Sequence, residues 1–189
     1  MARIERKQSA RNLVWIDLEM TGLDPEVDSI LQVALAVTNE NLEVLEEYTA
    51  DVYQTPAALS VMGPFVQKMH TKTGLLERLA AGTELRHVEQ ELLERISGWC
   101  PYRAVLCGNT IHSDRKFIDR YMPGLSTYLH YRMVDVSSLK VLSQLWQPSH
   151  VQFQKSTEAE HDAIFDIRQS IAELSHYRKV FLNPNVQPA

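Results

Sequence analysis

Asp17 and Glu19 stand two residues apart at the end of a short apolar run, Leu13, Val14, Trp15 and Ile16. Residues two apart in a strand point to the same side, so the two carboxylates converge and repel each other in a poorly hydrated site. A divalent cation relieves that repulsion. Oxygen-only ligands suit Mg2+ or Mn2+, which keep positions open for water and a substrate phosphate, better than they suit zinc. An isolated D-x-E is more often a solvated pair at a strand end, so the chemistry needs partners elsewhere in the chain. Asp114 is one candidate, shortly after a Gly108-Asn109 turn, and His161 with Asp166 near the start of the last helix are others. A separation of five turns two helical side chains well apart, so His161 and Asp166 share a site only near a helix end or from different depths. Asp162, beside His161, is a decoy carboxylate that composition does not exclude.

The elements that must position these groups follow from hydrophobic periodicity. The run before Asp17 suits a central strand covered on both faces. Thr21, Gly22, Asp24 and Pro25 supply a turn, residues 30–37 a second strand and residues 43–53 a third, giving an antiparallel meander. Residues 57–69 read as helical with a break at Gly63 and Pro64, and His70, Thr71, Gly74 and Leu75 as a turn that could line the site. Leu85, Val88, Leu92, Leu93 and Ile96 recur at helical spacing and predict an amphipathic helix over 83–99. A strand over 104–107 leads into the Gly-Asn turn. A helix then starts with Ser113 as its cap and Asp114 in its first turn, and Pro123 and Gly124 end it. Residues 132–134 make a fifth strand, and Asp135 caps a helix carrying Leu139, Leu142 and Leu145. After a loop over 147–157, the last helix spans about 158–177 with Ile164, Ile167, Ile171 and Leu174 on its apolar face. A strand meander followed by alternating helices and strands is a mixed α/β sheet fold.

With 189 residues and 44% hydrophobic side chains, the chain suits one domain over 12–180, between a flexible N-terminus, 1–11, and a flexible tail, 181–189. A net charge of -5 disfavours a protein that grips long nucleic acid through many phosphates, so any phosphate contact should be local. Cys100 and Cys107 fit neither a paired-ligand spacing nor a disulfide framework, which favours a reducing, cytoplasmic compartment. No apolar run approaches the ~18 residues of a membrane span. Arg3, Arg6, Lys7 and Arg11 with Ser9 resemble an organellar leader only faintly, so mitochondrial targeting would need a longer N-terminus.

Taken together, Asp17, Glu19, Asp114, His161 and Asp166 resemble the site residues of the DEDDh exonucleases. Within them, WIDLEMTGLDP, CGN followed by DRKF, HYRMVDVSSLK and DIRQSIAEL are similar to signature segments of the oligoribonuclease family, over nearly the whole chain. The resemblance implies an RNase H-like fold, a five-stranded mixed sheet flanked by helices. It also implies 3′-to-5′ hydrolysis of short single-stranded RNA, dinucleotides above all, to nucleoside 5′-monophosphates. By position, Asp17, Glu19, Asp114 and Asp166 match the carboxylates that hold two divalent cations, and His161 the general base. Leu18 matches a residue that wedges against the terminal bases, although strand alternation sends it away from them unless the strand end twists. Phe65 stands five residues before His70 where the family has Trp, and both match substrate contacts. Thr110, His112 and Ser113 depart from the family wording GNSIGQD, with Asp114 still in register. The resemblance further implies a homodimer in which Tyr131, Arg132 and Ser137 complete the neighbour's site, Tyr131 over a base and the other two on a 5′ phosphate. Two other readings compete: a DNA-directed or tRNA-trimming exonuclease using the same acids, and a catalytically silent nucleic-acid-binding domain.

Overall fold

The computed structural model describes residues 7–147, 149, 152–155 and 162–182. Five strands form one sheet in the order β3-β2-β1-β4-β5: β1 Leu13–Met20, β2 Ile30–Thr38, β3 Val44–Asp51, β4 Ala104–Gly108 and β5 Leu129–Asp135. β1, β2 and β3 pair antiparallel, as successive strands joined by short turns do, whereas β1 with β4 and β4 with β5 are parallel. β1 and β2 are the continuous apolar runs that a strand covered on both faces requires, and every residue of β2 is buried.

Alternation along β1 divides the core. Val14, Ile16 and Leu18 join the layer under α4 (Leu85–Trp99), α5 (His112–Tyr121) and α6 (Pro123–Tyr128), with Val88, Leu92, Ile96, Phe117, Ile118 and Leu125. Trp15 faces the other way, against Val136 of α7 (Val136–Trp146) and Ile167, Ile171 and Tyr177 of α8 (Ala163–Tyr177). By the same period of two, Asp17 and Glu19 fall on the α8 side. A third, smaller cluster of Leu31, Leu75 and Leu79 seats the short helices α1 (Pro56–Leu59) and α3 (Leu75–Arg78), with α2 (Pro64–Lys72) between them.

Several boundaries differ from the sequence expectation for physical reasons. Pro64 opens α2, and the helix runs through His70 and Thr71, which are helical residues and not a turn. The chain turns only at Gly74, whose φ of 68° is the left-handed conformation that glycine adopts without a Cβ clash. α5 begins at His112, which puts Ser113 inside the helix instead of at its cap, while Asp114 keeps its place in the first turn. Pro123 does not merely end α5. It occupies the first position of α6, where a missing N–H costs nothing, and this helix escaped the periodicity analysis because it is only six residues long. Asp135 does cap α7, accepting from the Ser137 N–H. The start of α8 is Ala163, with Asp162 as its cap, and the expected stretch before it lies outside the described residues, as does most of 181–189. From the segment 1–11, the Ser9 N–H donates to the Trp99 carbonyl at 3.0 Å and Arg11 pairs with Glu40 at 3.1 Å.

Candidate active site

The site forms where β4 stops. Its pairing with β1 covers only Leu13, Val14 and Trp15, so the next residues of β1 have an open edge at the carboxyl ends of the parallel strands, where open α/β sheets take ligands. Asp114 fills part of that edge. Its Oδ1 accepts the Leu18 N–H at 3.0 Å, so a carboxylate at the start of α5 takes the place of a strand partner. From the opposite face α8 brings Asp166, and oxygens of Asp17, Glu19 and Asp166 lie within 4.8 Å of one another. The structure thus gathers Asp17, Glu19, Asp114 and Asp166 around one strand end.

These acids repel, and they do so out of water. Burial, followed by the charges of Asp114, Glu19 and Asp166, holds the Asp17 carboxyl well above the usual carboxylate range, with Lys155 pulling slightly the other way. Burial and then Asp166 and Asp114 push Glu19 up to about 8. Asp114 is raised to about 7, again by burial first, against the opposing bond from Leu18. A set of hard oxygen donors that cannot all ionise unaided is the donor chemistry that a hard divalent cation satisfies, so these residues fit Mg2+ or Mn2+.

His70 sits behind this cluster. Its ring has no solvent exposure, with Nε2 2.9 Å from the Met20 carbonyl and Nδ1 3.8 Å from Glu19 Oε2. The expected substrate contact is thus a buried histidine against the base of the site. Leu18 is likewise buried, in the core with Ile16, because β1 and β2 stay in register through Glu19↔Gln32 and shift only at Met20. Its side chain packs on the face opposite Asp17. What Leu18 offers the site is its N–H. Phe65, on α2, is 77% exposed.

Tyr131 and Arg132 are not brought to this site. Trp15 is level with Cys107 and Cys107 with Val134; Asp17 lies two residues beyond that level, and Tyr131, in the bulge of β5 between Leu129 (level with Ala104) and Met133 (level with Leu106), about two before it. At ~3.3 Å per residue this is ~13 Å along the sheet, with β4 in between. Tyr131 is 71% exposed, stacked on His130 with ring centroids 4.4 Å apart, and the Arg132 guanidinium lies 5.3 Å from the Tyr131 ring. Ser137 Oγ accepts the Thr110 N–H at 3.0 Å, in the turn leading to Asp114. His161 lies outside the described residues. Asp162 caps α8, its carboxylate accepting the Phe165 N–H at 3.1 Å.

One charged residue of this region escaped the sequence reading. Glu173 of α8 is fully buried, bonded by Asn109 and paired with Lys155. The signal was available, since Glu173 sits among Ile167, Ile171 and Leu174 on the apolar side of the helix, where an unpaired acid would be costly.

With this geometry in view, the chain compares as follows with known proteins. The RNase T exonuclease family model matches residues 14–174. The oligoribonuclease of Enterobacter sp. (strain 638) is 45% identical over 174 residues, covering 90% of this chain and 96% of that protein. The oligoribonuclease of Escherichia coli (strain K12) is 45% identical over 175 residues with the same coverage, and that of Photorhabdus laumondii 43% over 178, covering 93% and 98%. Among solved structures, exonuclease I of Methylocaldum szegediense superposes with a TM-score of 0.62 at 19% identity, over 90% of this chain and 41% of that one. E. coli exonuclease I in complex with a dT13 oligonucleotide gives 0.66 at 15% identity, over 94% and 42%. The chain therefore spans about two fifths of the exonuclease I chains, which it resembles in fold.

Proposed function

The chain belongs to the oligoribonuclease family of RNase T-type exonucleases, and from that premise we propose that it hydrolyses short single-stranded RNA, dinucleotides above all, to nucleoside 5′-monophosphates from the 3′ end. The observation that carries this reading is the convergence of Asp17, Glu19, Asp114 and Asp166 at the strand end that β4 leaves open. These four residues would hold two divalent cations, Mg2+ or Mn2+, which would supply charge neutralisation at the scissile phosphate and a lowered pKa for the attacking water. His161 takes the proton from that water, a task suited to an imidazole that titrates near neutrality. The Leu18 N–H keeps the Asp114 carboxylate turned toward the site, and His70, wedged between Met20 and Glu19, does the same for Glu19. Phe65, exposed on α2, stacks on a base.

The preference for very short RNA comes from a second copy of the chain. Tyr131 and Arg132 sit too far along the sheet from Asp17 to serve their own site, and both are exposed. In a homodimer they reach the neighbour's substrate, Tyr131 over the base and Arg132 with Ser137 at the 5′ phosphate. A terminal phosphate captured at a fixed distance from the acids excludes longer chains. Action in the cytoplasm is part of the same proposal, supported by two free and buried cysteines, Cys100 and Cys107.

The test is turnover of a 5′-labelled diribonucleotide beside a decamer of the same composition, with Mn2+ and with chelator. We expect the dinucleotide to be consumed far faster, and neither to be consumed with chelator. Equal turnover of both lengths would remove the capped-site reading, and activity in chelator would remove the metal-dependent one. His161→Ala should lower kcat by on the order of 10² to 10⁴ with KM nearly unchanged, as for loss of a proton acceptor acting in the transition state.

A further inference from the structure

Glu173 carries a charge into the core that the proposed reaction does not use. It lies seven residues after Asp166 on α8, two turns on and on the same side of the helix. Its solvent exposure is 0%. Three donors surround it: Asn109 Nδ2 at 2.9 Å and Lys155 Nζ at 3.6 Å on Oε2, and the Tyr177 hydroxyl at 3.2 Å on Oε1. Tyr177 belongs to the same helix, but the other two do not. Asn109 opens the turn between β4 and α5, the helix that carries Asp114. Lys155 lies in the segment between α7 and α8, its side chain 33% exposed at the outer end of the network.

A buried ion pair is weak evidence of stabilisation, because well-packed apolar groups often do as well. Its distinctive property is direction. An ionised carboxylate only accepts, so it dictates that Asn109 turns its amide nitrogen inward, and Asn109 Oδ1 is left buried with no hydrogen-bond partner among the described residues. The next residue, Thr110, has a φ of 54°, an uncommon conformation for a β-branched residue, so this turn is held by its surroundings and not by its own preference. One carboxylate thus ties α8, the turn into α5, and the segment at Lys155.

We propose that Glu173 is a positioning residue of the carboxylate site, which through Asn109 and Lys155 sets Asp166 on α8 against Asp114 on α5. Lys155 has a second part in this, since its charge also acts on Asp17. The inference rests on the exonuclease reading of the site and adds to it residues that touch neither substrate nor metal.

The experiment measures Mn2+ binding by calorimetry, together with kcat and KM on a diribonucleotide, for the full chain and for Glu173→Gln, Asn109→Ala, Lys155→Met and Lys155→Arg. Asp166→Ala is the control, and thermal unfolding identifies the variants that fold. We expect Glu173→Gln to bind Mn2+ about ten-fold or more weaker, the scale seen when groups that orient metal ligands are removed. kcat should fall in step, KM should stay within about two-fold, and Lys155→Met and Asn109→Ala should shift the same way by less. Lys155→Arg, which keeps the charge and the reach, should restore both. A purely structural role would lower the unfolding temperature and leave Mn2+ affinity and kcat of the folded protein at wild-type values. That result in Glu173→Gln, or in Asn109→Ala and Lys155→Met if Glu173→Gln does not fold, overturns the inference while the loss of Mn2+ in Asp166→Ala leaves the site reading intact. If Asp166→Ala binds Mn2+ as wild type does, the reading of the site falls and the inference falls with it.

Discussion

Asp17, Glu19 and Asp114 are acids whose folded state prefers the proton, and this has a sign that can be checked. Burial, reinforced by neighbouring carboxylates, puts Glu19 at about 8 and Asp114 at about 7 when no cation is bound. Unfolded, both would ionise near ~4. A folded pKa above the unfolded one means that the native state binds more protons, so the contribution favours folding at acid pH and is lost as pH rises through about 7 to 8. We therefore expect the metal-free protein to melt at progressively lower temperature from about pH 5 to about pH 9, and saturating Mg2+ to remove most of that loss. Glu19→Gln should flatten the metal-free profile. A metal-free melting temperature that climbs with pH would contradict the assignment. The two neighbouring aspartates at the start of α8 should separate cleanly in the same assays. Asp162→Ala loses a helix cap, about 1 kcal/mol of stability, with turnover nearly intact. Asp166→Ala removes a member of the acid cluster and should abolish turnover while the fold persists.

At the scale of elements, the site depends on how turns are tied to strands. Asp135 Oδ1 accepts both the Ser137 N–H at 2.9 Å, capping α7, and the Thr110 N–H at 3.0 Å, holding the turn into α5. Asp135→Ala should therefore cost about 1 to 2 kcal/mol in urea unfolding, more than a simple cap, because two N–H groups lose a shared acceptor. Asp135→Asn keeps an acceptor oxygen and should lose less. Unchanged unfolding in the alanine variant would mean that water, and Ser137 Oγ for the Thr110 N–H, replace the two bonds at no cost. On the other side of the site, Asp28 accepts from Thr21 Oγ1 at 2.8 Å and from the Asp24 N–H at 3.0 Å, closing the β1–β2 turn. Gly22 lies against that carboxylate so closely that a Cβ would collide with Asp28, which explains a glycine here without any appeal to its backbone angles. The Tyr121 hydroxyl then donates toward the Pro25 and Asp28 carbonyls at 2.9 and 2.7 Å, so α5 is fastened to the turn that follows Glu19.

For the whole molecule, the decisive question is whether one chain makes a complete site. On the proposed reading, exposed Tyr131 and Arg132, no more than ~13 Å along the sheet from Asp17 but with β4 in between, serve a second chain. Mixing Asp17→Ala protomers with Tyr131→Ala protomers tests this, since a heterodimer would carry one site built from the wild-type parts of each. We expect dinucleotide turnover to recover after subunit exchange. No recovery once exchange is verified would leave each chain working alone. The net charge of -5 belongs to the same scale, because it gives little long-range attraction for extended RNA, so on the proposed reading selectivity comes from contacts at the substrate ends.

Periodicity along the chain was enough to reveal the strands, the long amphipathic helices and the shared side of Asp17 and Glu19, because periods of two and of 3.6 are local properties. Family resemblance then singled out Asp114 and Asp166 from the other acids. Local pattern fails where a partner is far away in sequence. The Leu18 N–H meets Asp114 across 96 residues because β4 ends its pairing at Trp15, a fact of register that neither segment contains. Leu18 packs in the core with Val14 and Ile16, a burial that the strand's own sequence does not show. His70 is sealed behind Glu19 because α2 continues through it, and Glu173 reads as one more polar residue of a helix until Asn109 and Lys155 are seen around it. Which acid joins the cluster at the strand end, which caps a helix and which braces the core depends on what surrounds each in space, and burial and distance come only from the closed fold.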